Sequence, residues 1–497
     1  MTDHVRVDPA ATIDRVSPHV FGHFAEHLGR CIYGGIWDGD VDSTIEEGIR
    51  DDTVSLLADL DMPNLRWPGG CFADDYHWED GVGPREDRPR RRNVHWVQGR
   101  DEVWEESNQF GTDEFLRLCG LLDTTPYLAA NVGSGDPGEA LDWVEYCNWD
   151  GDTELADRRR ENGHEEPYAV PFWGVGNENW GCGGNYDPDD YAREFRRYAT
   201  YLRTFGGNMH PGDRFDLVAC GHITEGWNRE FMENMAAAGD QHMADHLSVH
   251  RYYNAGDSTE FSDDEHFALM AKSLALADDV DRAADTLSTY APAADIGVIV
   301  DEWGVWHPEA QNDNGLEQEN TVRDAVSAAG VLDIFTNRAD VVTMANIAQT
   351  VNVLQCVVQT DADDAWATPT YRVFDLYEPH MGATAVRSYV DTDEREVENE
   401  RDVPLVSASA TRDDDGAVYV TLSNRDLAER EVTVDAGLGT DATVESAEVL
   451  FREKGAREAV SKATADEFEA EALDASTDGG EVSFATPASS VVGLRLA

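Results

Sequence analysis

Lysine is almost missing from this chain. Among 497 residues only Lys272, Lys454 and Lys462 occur, and every other basic residue is an arginine. Basic residues of both kinds number 38 against 99 acidic ones, for a formal net charge of −61. A field of that sign repels nucleic acid and anionic membrane surfaces, which excludes both as partners. Long apolar runs are missing too: none approaches the roughly 18 residues that suggest a bilayer-spanning helix. The start, MTDHVRVDPAATIDRV, has no basic segment leading into an apolar core, so nothing marks the chain for secretion and a cytoplasmic location is expected. Cysteine is sparse and unpatterned, with seven residues at 31, 71, 119, 147, 182, 220 and 356. No Cys-x-x-Cys pair, Cys/His cluster or His-Glu-x-x-His stretch appears, so neither a metal nor another cofactor is expected. The odd count predicts free thiols in a reducing compartment.

What is present describes a globular protein. Hydrophobic residues make up 41%, with 13 Trp, 16 Tyr and 17 Phe, far too much apolar and aromatic material for a disordered chain. An acidic, lysine-poor surface at ordinary hydrophobicity suggests folding in molar salt, where the Debye length falls to about 3 Å and self-repulsion is screened. Steering of a cationic substrate is the weaker explanation, because the acidic residues run through both halves of the chain.

From about residue 18 to 375, short apolar runs alternate with amphipathic stretches, the pattern of β/α units. Eight runs read as strands: 19–24, 64–67, 125–132, 171–175, 216–220, 246–250, 297–301 and 341–346. Between them lie helical segments such as DDYAREFRRYATYL and NTVRDAVSAAGVLDIF. Eight repeats over this length predict a (β/α)8 barrel at 17–380. A doubly wound open sheet is disfavoured, since no Gly-x-Gly-x-x-Gly follows the first run. After about residue 385 apolar and polar residues alternate between Asp/Gly turns, as in GAVYVTLSNRD and REVTVDAG, which predicts an antiparallel β-sandwich at 381–497. Residues 1–16 also read as a strand and are expected to join it.

Reactive groups of such a barrel sit where its strands end. The fourth run ends PFWGVGNENW, placing Asn177 and Glu178 at its tip, and the seventh ends VIVDEWGVW, placing Glu302 there. Two glutamates across one barrel mouth suit glycoside hydrolysis, in which one protonates the leaving oxygen and the other attacks the anomeric carbon. Trp303 and Trp306 offer apolar walls for sugar faces. Other run ends supply Glu26 as a hydroxyl clamp, Arg66 before the tight Pro68-Gly69-Gly70 turn, and Gln349 near the mouth. His250 and Tyr252, two apart, leave the same strand face. Each also has a structural alternative: a core histidine for His250, an ion-pair partner of Glu26 or Glu178 for Arg66, a loop brace for Gln349.

The segments FGHFAEHLGRCIYGGIW, RWPGGCFADDYHWEDGVGP, NVGSGD, GVGNENWGCGG, SVHRYYN, VDEWGVW and ANIAQTVNVLQ closely resemble the α-L-arabinofuranosidases of glycoside hydrolase family 51, in order over about residues 15–375. The β-rich tail resembles the family's jelly-roll domain. The resemblance implies a retaining double displacement with Glu178 as acid/base and Glu302 as nucleophile. It places Glu26, Arg66, Asn177, His250, Tyr252 and Gln349 on the sugar. Cys71 stands where some members carry Asn and is expected in the pocket. Trp96, in the arginine-rich 85–108 loop, is expected at the leaving-group side. The implied partner is an arabinose-containing oligosaccharide or polysaccharide, and the implied assembly a homo-oligomer, hexamer or dimer. A β-xylosidase or endo-β-glucanase on the same barrel is the alternative, and a non-catalytic sugar-binding barrel is disfavoured because both glutamates are present.

Overall fold

Eight parallel strands close into a barrel: Gly22–Phe24, Asn64–Trp67, Thr125–Ala130, Phe172–Val175, Asp216–Cys220, His246–Tyr253, Gly297–Val305 and Val342–Ala348. Each bonds to the next and the last to the first. A computed structural model describes residues 2–39, 44–45, 48–99, 103–440 and 442–497. The strands are short and buried almost throughout, as a parallel sheet covered on both faces requires. Tyr127, Val218, Ile299 and Met344 fill the barrel interior, with Phe172 packed against them. This plug makes the barrel a packed core rather than a pore and leaves its C-terminal mouth for chemistry.

Helix starts are encoded locally. Asp136 caps Pro137–Asn148 by accepting from the backbone N–H groups of Gly138 and Glu139, with Pro137 in the first turn where its missing N–H costs nothing. Ser262 and Glu265 form a reciprocal capping box before Asp263–Leu274.

Three strands differ from their sequence expectation by three residues or more at one end. Pro18–Phe21 is a 3-10 turn, so the first strand begins only at Gly22; Pro18, with its fixed φ, opens that turn. The sixth and seventh strands run on to Tyr253 and Val305. Tyr252 and Glu302 therefore stand within strands that continue past their expected ends.

The C-terminal part is a ten-stranded sheet that includes Thr2–Arg15. That strand pairs antiparallel with Thr384–Asp391 on one side and parallel with Arg430–Asp435 on the other, so the sheet is not purely antiparallel. One apolar cluster joins Val449, Val492 and Leu494, near one end of the sheet, to Val432, Val482 and Phe484, near the other. The sheet must therefore curl until its ends face each other, which is the sandwich. Helix Val322–Thr336, buried along its whole length, lies between barrel and sandwich. Its Asp333 accepts hydrogen bonds from Ser407 (2.7 Å) and Ser409 (2.8 Å) of the sandwich.

Candidate active site

The barrel mouth gathers charge from five strands. On the second, Arg66 is buried and donates from Nη1 to Glu302 Oε1 (2.9 Å) and from Nη2 to Asn177 Oδ1 (2.5 Å). It thus serves the seventh and fourth strands rather than pairing with Glu26 or Glu178. On the sixth, Ser248, His250 and Tyr252 share a face, and each reaches an acidic residue. Ser248 Oγ donates to Asp301, His250 Nδ1 lies 3.0 Å from Glu178 Oε1, and Tyr252 Oη donates to Glu302 Oε2 (2.8 Å). The alternation of a β-strand makes this possible.

Glu302 has its Oε1 on Arg66 and its Oε2 on Tyr252. Burial raises its pKa, and the neighbouring His250 and Arg66 charges offset only part of that rise. Burial would lower the His250 pKa, but Glu302 and Asp301 outweigh it and push it up to about 10. Glu178 itself has φ 42°, a left-handed conformation that costs roughly 1–3 kcal/mol for a residue with a side chain. The turn is held by N–H bonds from Gly181 (2.7 Å) and Gly183 (3.2 Å) to the Glu178 carbonyl. At Gly183 a Cβ would lie 2.0 Å from the Asn177 carbonyl oxygen, so the turn admits only glycine there. Gly70 plays the same part on the other side. A Cβ there would sit 2.7 Å from Glu302 Oε1, so the Pro68-Gly69-Gly70 turn packs directly on that carboxylate.

Glu26 is buried beside this pair. Its Oε1 accepts from the Phe72 backbone N–H (3.0 Å) and from Trp96 Nε1 (2.9 Å), and its Oε2 from Gln349 Nε2 (3.2 Å). Burial and the nearby Glu302 charge push its pKa up to about 7. Trp96 leads to Trp306 (ring centroids 6.4 Å apart) and Trp306 to Tyr252 (5.4 Å), a half-buried aromatic wall at the mouth. Asn93, buried and absent from the sequence reading, sets the Trp96 loop. Its Oδ1 accepts from the Trp96 N–H (2.9 Å) while its Nδ2 donates to the His27 carbonyl (3.0 Å). The arginines of this loop act as tethers. Arg88 donates to Glu114 (2.9 Å) and to the Asn108 carbonyl (2.9 Å), and Arg91 to Asp80 (2.7 Å). Arg100, Asp101 and Glu102 lie outside the described residues.

Two expectations fail. Trp303 is no pocket wall: it is fully buried against Phe335 and Phe374, because it points outward from the barrel between Glu302 and Gly304. The cysteines are not all free thiols. Cys71 and Cys182 form a disulfide, with Cys182 Sγ 3.6 Å from Glu178 Oε2. Cys71 does reach the pocket, as half of a cross-link between the loops after the second and fourth strands. The 111 residues separating the partners carry no spacing signal, and only barrel closure brings them together.

Two acidic residues were missed. Asp74 accepts backbone N–H bonds from Val132 (2.7 Å), Gly133 (2.8 Å) and Asn177 (2.7 Å), joining three mouth loops. Asp301 is buried directly beneath the site, next to Glu302 in sequence. Strict alternation would send it to the opposite face from Glu302. Register shifts along the seventh strand, between Ile299 and Glu302 on one side and Val300 and Trp303 on the other, turn both carboxylates inward.

One ligand atom each of Glu178, His250 and Glu302 lies within 4.8 Å of the others. A metal cation would fit poorly there, since Arg66 already donates to Glu302 and His250 is held in its cationic form. The same proximity suits two carboxyl groups acting together on one glycosidic bond. Spacings of about 5–5.5 Å belong to covalent double displacement, whereas about 6.5–9.5 Å is needed to admit a water.

Comparisons with known proteins agree over nearly the whole chain. Residues 56–267 match the alpha-L-arabinofuranosidase 1 domain, and residues 301–490 the alpha-L-arabinofuranosidase C-terminal domain. An intracellular exo-alpha-L-arabinofuranosidase of Bacteroides ovatus is 40% identical over 451 residues, 88% of this chain and 85% of that protein. The crystal structure of the GH51 arabinofuranosidase from Xanthomonas axonopodis pv. citri superposes with a TM-score of 0.91 at 37% identity, covering 100% of both chains. The arabinose complex of the α-L-arabinofuranosidase from Thermotoga maritima superposes with a TM-score of 0.84 at 30% identity, covering 99% of each.

Proposed function

The chain belongs to the α-L-arabinofuranosidases of glycoside hydrolase family 51, and from that premise we propose that it is a retaining, exo-acting enzyme with Glu302 as nucleophile and Glu178 as acid/base. Its substrates are terminal α-L-arabinofuranosyl groups of arabinan, arabinoxylan or their oligosaccharides. The observation that carries the reading is the pair of glutamates, one carboxylate oxygen of each within 4.8 Å of the other, held in unlike surroundings. Glu302 receives charged and neutral donors on both oxygens, which offset part of the pKa rise that burial causes and orient the carboxylate for attack. Glu178 has one oxygen on His250 and the other beside the disulfide, where among the described residues its one partner is the disulfide sulfur, which carries no proton to donate.

In the first step Glu302 attacks the anomeric carbon while Glu178 gives its proton to the departing oxygen, leaving an arabinosyl ester on Glu302 and an alcohol. In the second, the Glu178 carboxylate takes a proton from water, the water oxygen attacks the anomeric carbon, and Glu302 departs. Arg66 and Tyr252 stabilise Glu302 as it regains its charge. Glu26 and Gln349 are placed to hold sugar hydroxyls. Asn177 Nδ2, buried without a partner among the described residues, is a donor that a substrate hydroxyl would satisfy. Trp96 and Trp306 line the leaving-group side.

The intracellular name of the Bacteroides ovatus relative extends the reading to a cytoplasmic location, the family resemblance to a homo-oligomer, hexamer or dimer, and the charge to an enzyme working in molar salt. Among the described residues no helix is long and apolar enough to cross a membrane. The substrate assignment is tested by comparing kcat/KM on 4-nitrophenyl α-L-arabinofuranoside and β-D-xylopyranoside. A preference of about 100-fold or more for the furanoside is expected, within the discrimination a hydrogen-bonding site reaches even between similar hydroxyl arrangements. Preference for the xylopyranoside would make it a β-xylosidase.

A further inference from the structure

Asp301 has no part in the two-glutamate scheme, yet it is among the most heavily engaged side chains of the barrel. Its Oδ1 receives Ser248 Oγ and lies 3.0 Å from His250 Nε2, and its Oδ2 accepts from Tyr127 Oη (2.8 Å). Arg66 Nε is 3.5 Å from the same Oδ2. The carboxyl is completely buried. Burial alone would raise its pKa, but the Arg66 and His250 charges hold it well below the ordinary carboxylate range.

On the other side of the imidazole, His250 Nδ1 lies 3.0 Å from Glu178 Oε1 and 3.5 Å from Glu302 Oε2. Both ring nitrogens thus face carboxylates. A neutral imidazole has one donor and one acceptor, and only the imidazolium offers a donor at each nitrogen. The charged groups around the ring are Glu178 from the fourth strand, Asp301 and Glu302 from the seventh and Arg66 from the second, with His222 after the fifth at longer range.

We propose that Asp301 is a positioning residue for the acid/base: it keeps His250 doubly protonated so that Nδ1–H occupies Glu178 Oε1 and confines the catalytic proton to Oε2. This rests on the assignment of Glu178 above. With Oε1 accepting from the imidazolium, a proton on Glu178 can reside only on the oxygen left for the leaving group. Without Asp301 a neutral His250 offers the Nδ1 lone pair instead. That lone pair accepts the Glu178 proton and turns it away from the glycosidic oxygen. The seventh strand accordingly supplies two carboxylates from adjacent residues: Glu302 for the sugar, and Asp301 to act through the sixth strand on the acid of the fourth. A charge that acts only on the acid matters in proportion to how much the leaving group needs a proton.

Asp301→Asn is therefore expected to lower kcat/KM on unactivated arabino-oligosaccharides by about 100-fold, within the span of general acid catalysis, and on a 2,4-dinitrophenyl arabinofuranoside by less than about 5-fold. In a His250→Gln background the same substitution is expected to cost less than about 3-fold, because residues acting as one unit are not additive. Imidazole 15N spectra supply a readout that a merely structural role would not move. At pH 8 the signal lost in His250→Gln is expected to show both nitrogens protonated in the unsubstituted enzyme and a single protonated nitrogen in Asp301→Asn. Equal losses on both substrates, additive losses in the double variant, or a neutral His250 in the unsubstituted enzyme would each overturn the proposal; the last stands even if Asp301→Asn does not fold. Glu178→Ala assayed alongside separates the two ideas. If it lacks leaving-group dependence, the acid assignment is wrong and this inference falls with it. If only Asp301→Asn lacks it, the positioning role alone is wrong.

Discussion

Replacing Glu302 by alanine is expected to abolish turnover on every substrate, by on the order of 10⁴-fold or more, whatever the leaving group. No covalent arabinosyl ester can form without that carboxylate, and the donors Arg66 and Tyr252 are then left around an empty position. Glu178→Ala is expected to behave differently. Unactivated arabino-oligosaccharides lose about 10²–10⁴-fold, because the departing sugar oxygen needs its proton. A dinitrophenyl glycoside departs without one, so its first step is largely spared and the arabinosyl ester accumulates. Azide, needing no general base, attacks that ester and restores turnover as arabinosyl azide. The leaving-group contrast is read from kcat/KM on the two substrate types, and the azide rescue from kcat on the activated one, which the breakdown of the ester then limits. Equal losses in both variants, or rescue of Glu302→Ala instead, would reverse the roles.

The second large effect concerns salt. With 99 acidic against 38 basic residues, the folded state carries its charge at close quarters. Asp187, Asp189 and Asp190, for example, present carboxylate oxygens within 4.8 Å of one another. Two like charges about 4 Å apart repel by about 1 kcal/mol even in water. Exposed ion pairs such as Arg15 with Asp414 offer little in return, about 0–1 kcal/mol each. Molar salt shortens the Debye length to about 3 Å and suppresses most of this repulsion. The melting temperature is expected to climb by roughly 10 °C or more between about 0.1 M and 3 M KCl, which corresponds to about 10 kcal/mol in a chain of this size. Since the surface carboxylates cause the effect, inactive Glu302→Gln follows the same curve. A flat curve would show that the carboxylates are simply tolerated.

The barrel was legible because its signals are local. Apolar runs of strand length, the amphipathic stretches between them and polar residues after each run survive without tertiary information. The same holds for Glu178, Glu302, Arg66 and the His250–Tyr252 pair, whose positions follow from strand ends and two-residue alternation. What failed is where alternation itself fails. The register shifts of the seventh strand brought Asp301 inward beside Glu302, while Trp303 went into the outer core and not to the pocket. Period-2 reasoning gives at most one of two adjacent carboxylates to the mouth. The disulfide was invisible for another reason: Cys71 and Cys182 are unremarkable in spacing and meet only because their loops top the second and fourth strands. Asp74 and Asn93 likewise act on backbone N–H and carbonyl groups of distant loops, contacts without a sequence signature.

The configuration of the first product tests the central claim most directly. Proton NMR is recorded within the first minutes of hydrolysis of an α-L-arabinofuranoside, before mutarotation equilibrates the anomers. Double displacement through Glu302 predicts α-L-arabinofuranose first, with the β anomer appearing only as the solution equilibrates. If the β anomer appears first, water attacks the sugar directly, and the short Glu178–Glu302 spacing does not mean what is claimed for it here.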